Sequence, residues 1–183
     1  MIPRLTTDRL LMREWRSGDR APYAALNADP LVMEHFPSTL TAQQSDEMVD
    51  VICSRWETDG HGLWAVEVID TGEFIGFVGL SSPRFTTSFT PCVEVGWRLA
   101  RAAWGHGYAP EAARAAVAWG FQHVALPNDE IVSFTTVGNT KSRRVMEKIG
   151  MTHDPADDFD HPLLPDWSAR RHVLYRLARP SEH

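Results

Sequence analysis

The sequence predicts a mixed α/β sheet, and three observations carry that expectation. LWAVEVI (63–69) and FIGFVGL (74–80) are joined by Asp70-Thr71-Gly72, a hairpin signal. CVEVGWRL (92–99) extends the pair into a meander. Beyond it, strands alternate with helical periods, so the sheet is mixed and not doubly wound from end to end.

In order along the chain, RLLMREW (9–15) is the first strand, and Ser17, Gly18 and Asp19 supply turn and cap for a helix through Tyr23 and Leu26. The chain turns at Asp29-Pro30. Met48, Val51, Ile52 and Trp56 stand three and four apart, which predicts a second helix with that face buried, ended by Gly60 and Gly62. After the hairpin, residues 81–91 form a loop leading to strand 92–99. A helix runs from Pro110 to about Val124, and its face of Ala113, Ala116, Val117, Gly120, Phe121 and Val124 suits close packing on a sheet. IVSFTTV (131–137) is a short β-branched strand, VGNTKSRRVMEKIGM a capped helix stopped by Gly150, and HVLYRLA (172–178) the closing strand. A chain of 183 residues without repeat or linker suits one domain, 1–183.

Hydrophobic residues make up 43% and charged residues 23% of the chain, a balance that suits a folded globular protein. A formal charge of −6 disfavours a nucleic-acid partner and accommodates a cationic one. The apolar runs are strand-length, so no membrane partner is expected, and Arg4, Asp8 and Arg9 argue against a leader. Cys53 and Cys92 offer neither a disulfide framework nor metal-ligand spacing, so the cytoplasm is the expected compartment and a metal is not expected. HDPADDFDH (153–161) matches no ligand spacing and reads as a solvated acidic loop. Monomer and homodimer both remain open.

WGHGYAPEA (104–112) stands where strand becomes helix. A helix start exposes unpaired N–H groups and the positive end of the dipole, and glycines ahead of it let phosphate oxygens approach the backbone. Gly105 and Gly107 suit that role, Pro110 fits the first turn, and Glu111 complements the dipole without needing to touch a ligand. The glycines alone fit a ligand-free tight turn equally well. A nucleoside triphosphate loop is excluded, because Gly-x-x-x-x-Gly-Lys-Ser/Thr is absent. A dinucleotide loop needs a third glycine where Pro110 stands. Coenzyme A, a diphosphate with an amide-bearing arm able to pair with a strand edge, remains.

VEVGWRLARAAWGHGYAPEAARAAVAWGF followed by VGNTKSRRVMEKIGM resembles the GNAT acetyltransferase superfamily, in the branch that includes ribosomal-protein N-terminal acetyltransferases. RLLMREW and RRHVLYRL extend the likeness over nearly the whole chain. The resemblance implies a mostly antiparallel sheet flanked by helices, with a splayed strand pair forming the acetyl-CoA cleft. It implies diphosphate contacts from Trp104, Gly105, His106, Gly107, Tyr108 and Ala109, with Trp104 standing where the family signature has Arg or Gln. It also implies a bulge in strand 92–99, with Trp97, Arg98 and Leu99 as backbone partners of the pantetheine arm.

Acetyl transfer to an amine needs a neutral nucleophile, a stabilised oxyanion and a protonated leaving thiol. By the same resemblance Glu94 is the candidate base. The position of the family's usual tyrosine acid is Met146, so Ser142 is the candidate donor to the thiol, and Asn139 caps its helix or bonds the pantetheine arm. Lys141, Arg143, Arg144 and Lys148 form a basic turn that suits phosphates, with Arg143 or Arg144 in direct contact, and Arg144 is assigned to the coenzyme. Trp15, Phe36, Phe85, Phe89 and Trp97 are candidates for the acceptor pocket. The expected activity is acetylation of a primary amine, a protein amino terminus among them. The alternatives are a small-molecule amine acceptor and a non-catalytic acyl-coenzyme A sensor.

Overall fold

The structure, a computed structural model, describes residues 2–180. Its strands are β1 (Leu5–Thr6), β2 (Leu10–Arg13), β3 (Leu63–Val68), β4 (Glu73–Ser81), β5 (Glu94–Leu99), β6 (Glu130–Thr136), β7 (Thr152–His153), β8 (Phe159–Asp160) and β9 (Arg171–Ala178). Its helices are α1 (Arg20–Ala28), α2 (Ala42–Asp59), α3 (Tyr108–His123) and α4 (Thr140–Lys148). Among the described residues the strands form one sheet in the order β1-β2-β3-β4-β5-β6-β9-β7, with β8 also on β9. Every pairing is antiparallel except β5 with β6. No helix among these residues is long and apolar enough to cross a membrane.

The expected meander and the later alternation are both present. The core lies mainly between the sheet and α3, whose Ala112, Ala113, Ala116, Val117 and Gly120 are buried against it. Phe121 and Val124, expected on that face, are only partly buried. On the other side Tyr23 and Leu26 of α1 pack with Val49 and Phe77.

Three features differ from expectation. The buried face of α2 is Ser45, Val49, Ile52 and Trp56, and Val51 is half exposed. Trp56 fixes that register by packing edge-on against Trp64 and Trp119, and Val51 then lies about 100° round the helix from Ile52. The first strand ends at Arg13, so Trp15 leaves the sheet to pack against Tyr23 and Phe74 and to donate its indole N–H to Leu63 O at 2.9 Å. Residues 153–161 are not a solvated loop. They contain β7, a turn and β8, and their acids have partners: Asp157 pairs with Arg176, Asp160 with Arg170, and Asp158 Oδ1 lies 2.7 Å from His153 Nε2.

The bulge also lies elsewhere. The register of β4 with β5 is unbroken from Gly76↔Leu99 to Ser81↔Glu94. The irregularity falls where Val66 pairs with Gly76 and Glu67 with Phe74, leaving Ile75 as the extra residue on β4. Gly76 has φ +130°, and a Cβ there would meet Arg98 O at 2.1 Å. Both the backbone angle and the backbone contact demand glycine. Gly76→Ala is therefore expected to lower stability by on the order of 3 kcal/mol, seen as a lower urea midpoint, whereas Gly18→Ala should change it by less than about 0.5 kcal/mol.

Candidate active site

Strands β5 and β6 meet at one bridge, Glu94↔Val132, where Val132 N–H donates to Val93 C=O at 2.9 Å. Beyond it they diverge, and a cavity of about 670 Å³ opens between Gly96–Leu99 and Ser133–Thr135. The splay expected of this strand pair is thus present without a bulge in β5.

Peptide groups alternate in direction along a strand. Val93 C=O points to β6, and Ala100 N–H points back to Ile75 O on the β4 side. By this alternation the C=O of Val95 and both the N–H and C=O of Trp97 face the gap, while the peptide groups of Arg98 face β4. Leu99 C=O also faces the gap, but the indole N–H of Trp104 occupies it at 2.9 Å. Of the three expected backbone partners, Trp97 has both its N–H and its C=O facing the cavity without a protein partner in the alternation. Arg98 meets the cavity through its side chain instead.

The loop 104–110 closes one end of the cavity. Gly105 and Gly107 have φ +79° and +80°, a left-handed geometry that turns the chain tightly into α3. Among the described residues no protein acceptor meets the N–H groups of Gly105, His106, Gly107, Tyr108 or Ala109. Five consecutive free donors ahead of a helix N-terminus form an anion cradle. Trp104 N–H is not part of it, since it donates to Arg101 O. The His106 imidazole turns away from the cavity onto Trp104 O and stacks on Tyr108. Arg9 braces the loop from outside, donating to His106 O at 2.9 Å, pairing with Glu111 at 2.5 Å and lying over the Tyr108 ring. These contacts, with Thr7, hold the Glu111 carboxyl below its usual range despite opposing burial.

Helix α4 forms the cavity floor. Asn139 caps it, accepting from Ser142 N–H at 3.2 Å, and its amide donates to Thr135 Oγ1 at 2.9 Å and Ser142 Oγ at 3.2 Å. Ser142 Oγ therefore accepts from Asn139 and keeps its own proton to donate. Lys141, Arg144 and Lys148 line the cavity, and Lys141 Nζ sits 4.3 Å over the Trp104 ring. Arg143 turns away to Tyr175 OH and Val137 O. Met146 is buried and lines the cavity. Tyr175 is also buried, bonded to Arg143 and Glu147, and Tyr108 at the loop end is the one tyrosine on the cavity wall.

Glu94 sits at the point of divergence. Protein surrounds its carboxyl except on the cavity side, and this burial pushes its pKa up to about 8, against smaller opposing contributions from Ser81 and Arg55. Ser81 Oγ donates to it at 3.3 Å. Facing it across the acceptor side are Phe36, Phe134, Trp167, His161 and His172. His172 was not singled out from sequence, and His161 only within HDPADDFDH. His172 bonds Arg170 O through Nδ1 at 2.7 Å, and burial lowers the pKa of both imidazoles, which favours their neutral forms; in neutral His172 this bond leaves Nε2 as an acceptor. Phe36 and Trp97 line the cavity as expected, whereas Trp15 belongs to the α1 side, and Phe85 and Phe89 stand behind the wall, packed on its Phe134 and on Phe159. Among the described residues no His/Cys/Asp/Glu group has the arrangement of a metal site.

A parted strand pair closed by a glycine loop and a helix start defines an acyl-coenzyme A-dependent transferase. The chain belongs to the GNAT acetyltransferase family: residues 9–152 match its Acetyltransferase (GNAT) domain. It is 34% identical to Bacillus subtilis YkkB over 81% of this chain and 84% of that one. It is 37% identical to the Aspergillus fumigatus FsC-acetyl coenzyme A-N(2)-transacetylase over 66% of this chain and 51% of that one. The crystal structure of an acetyltransferase from Agrobacterium tumefaciens superposes with a TM-score of 0.79 at 30% identity, covering 98% of this chain and 96% of that one. The protein is an acetyl-CoA-dependent acetyltransferase.

A carboxyl whose pKa is raised on folding stabilises the folded state most at low pH, and that contribution is lost as pH rises through the folded value. Between pH 5 and 9 wild-type protein should therefore lose stability relative to Glu94→Gln, with most of the change complete near pH 8. Urea unfolding of both proteins at pH 5, 7 and 9 measures this, and parallel curves would rule out the raised value.

Proposed function

We propose that the protein acetylates a primary amine by direct attack while acetyl-CoA and acceptor are bound together, and that Glu94 receives the amine proton. The observation that carries this reading is the place of the Glu94 carboxyl, on the cavity wall at the head of the gap between β5 and β6, where burial pushes its pKa up to about 8. Bound acetyl-CoA supplies an activated acetyl thioester. The unpartnered amides of Gly105–Ala109, with Lys141 and Arg144 nearby, suit its phosphates, and the free peptide groups of Val95 and Trp97 suit the amides of its arm.

The ionised form of Glu94, which grows as pH rises toward about 8, takes a proton from an ammonium or amine, directly or through one water. Trp97 N–H offers a donor to charge developing on the carbonyl oxygen. Ser142, whose Oγ accepts from Asn139, has its O–H free to hydrogen-bond the departing thiolate, and the proton that Glu94 takes from the amine balances the thiol finally released. Neither cysteine lines the cavity, and burial pushes Cys92 up to about 12, which favours direct transfer over a covalent acetyl-enzyme. The branch resemblance supports a protein amino terminus as acceptor. A small-molecule amine is the second reading, supported by the walls that Phe36, Trp167 and His172 place around the acceptor side. Two unpaired thiols support the cytoplasm as the compartment.

Free-thiol release across an amine panel tests the activity. Glu94→Gln should lower kcat by about 10²–10⁴-fold and leave acetyl-CoA affinity within about twofold. With an acceptor amine of pKa below about 7, kcat/KM of wild type should rise with pH through about 8, and the variant should lose that limb. Loss of coenzyme binding in Glu94→Gln would remove it from the role of base. Gly107→Val should weaken acetyl-CoA by at least about tenfold in calorimetry, because φ +80° disfavours a branched side chain and the amide cradle would be displaced.

A further inference from the structure

Arg98 is a buried cation without a counter-ion. Its side chain lines the cavity, yet the residue is only 8% exposed. Nη1 donates to Asn27 Oδ1 at 2.7 Å and approaches Met48 Sδ at 3.8 Å. Nε is buried with no partner among the described residues, and Arg98 is the one cavity-lining residue with such an atom. The rings of Phe36 and Phe77 lie 4.3 and 5.6 Å from Cζ. The groups facing it from every neighbouring element are neutral: Asn27 and Tyr23 of α1, Met48 of α2, Phe77 of β4 and Phe36 of the α1–α2 connection. Aromatic faces offset only part of the cost of desolvating a guanidinium, and an unpaired buried charge is strongly unfavourable.

We infer that Arg98 holds an anionic group of the acceptor, a carboxylate set several bonds from the reacting amine. The inference rests on the reading that the amine reacts beside Glu94. Arg98 shares a face of β5 with Glu94 and Gly96, whereas α3 packs on the opposite face with Val95 and Leu99. The phosphate cradle that opens α3 is therefore on the other side, which assigns the anion to the acceptor and not to the coenzyme. Four residues of strand separate the Glu94 and Arg98 Cα atoms by about 13 Å. An amine and carboxylate on one carbon do not span that interval. A terminal-amine amino acid such as lysine, about 7 Å between amine and carboxylate, does so with a hydrogen bond of about 3 Å at each end, and so does a peptide with an acidic residue shortly after its amino terminus.

The test uses two matched acceptor pairs, L-lysine with cadaverine and Ser-Ala-Glu-Leu-amide with Ser-Ala-Gln-Leu-amide. It is joined by a binding measurement that needs no turnover, the thermal stabilisation of CoA-loaded protein by hexanoate against hexanol. The expected result is at least a tenfold higher kcat/KM for the carboxylate member of one pair, and the pair that shows it distinguishes a free amino acid from a peptide source. Arg98→Met should abolish that preference through KM, Arg98→Lys should keep part of it, and acetyl-CoA affinity should be unchanged. Asn27→Asp places a carboxylate beside Arg98, so it should raise the unfolding temperature and remove both the preference and the hexanoate effect. This variant decides the matter if Arg98→Met does not fold. The proposal is overturned if neither pair shows a preference and hexanoate does not bind. It is also overturned if preference survives in Arg98→Met and Asn27→Asp, or if these substitutions weaken coenzyme binding instead. No turnover with any amine, together with hexanoate binding that Arg98→Met and Asn27→Asp abolish, would remove the amine reaction and leave the anion site standing.

Discussion

A parallel bridge of one residue pair is the constraint on which this structure depends. Where Glu94 and Val132 part, peptide groups that a continuous sheet would satisfy are left facing a cavity. Buried backbone donors and acceptors without partners are costly, and proteins keep them only where water or a ligand completes them. The helix start behind Gly107 adds five further free amides. A gap able to pair with an amide chain thus leads to a cradle able to hold a diphosphate, which matches one coenzyme along its length.

Charge follows the same geometry. One face of β5 presents an acid near its head and a cation near its foot, both largely withdrawn from water and neither paired with the other. Burial opposes the charged form in each case, but the outcomes differ because a carboxyl gains a proton readily and a guanidinium does not lose one. Glu94 responds by shifting its titration toward neutral pH. Arg98 has no such escape, and its charge persists between two rings.

Much of this was legible in sequence because the signals were local. The hairpin at Asp70-Thr71-Gly72, the Asn139 cap and the left-handed glycines each declare themselves within a few residues. The register of α2 was not legible, since Trp64 and Trp119 from distant elements decide that Val49 and not Val51 turns inward. His172 escaped notice, and His161 stood out only within HDPADDFDH, because β8 and β9 bring them to the cavity through pairing alone. Arg98 was expected to act through its peptide group. Which way that group faces depends on strand parity relative to β4, a tertiary fact.

The contacts of Arg9 have an implication for how binding energy is used. A residue at the entrance to β2 secures the carbonyl of His106, the carboxylate of Glu111 and the face of Tyr108. The turn before α3 is consequently held in shape by the opposite edge of the sheet before any guest arrives. Little ordering entropy then has to be surrendered by this turn when its free amides gain a partner, because the shape they need is already built. The amino-terminal edge of the sheet thereby acts as a brace for a turn several strands away.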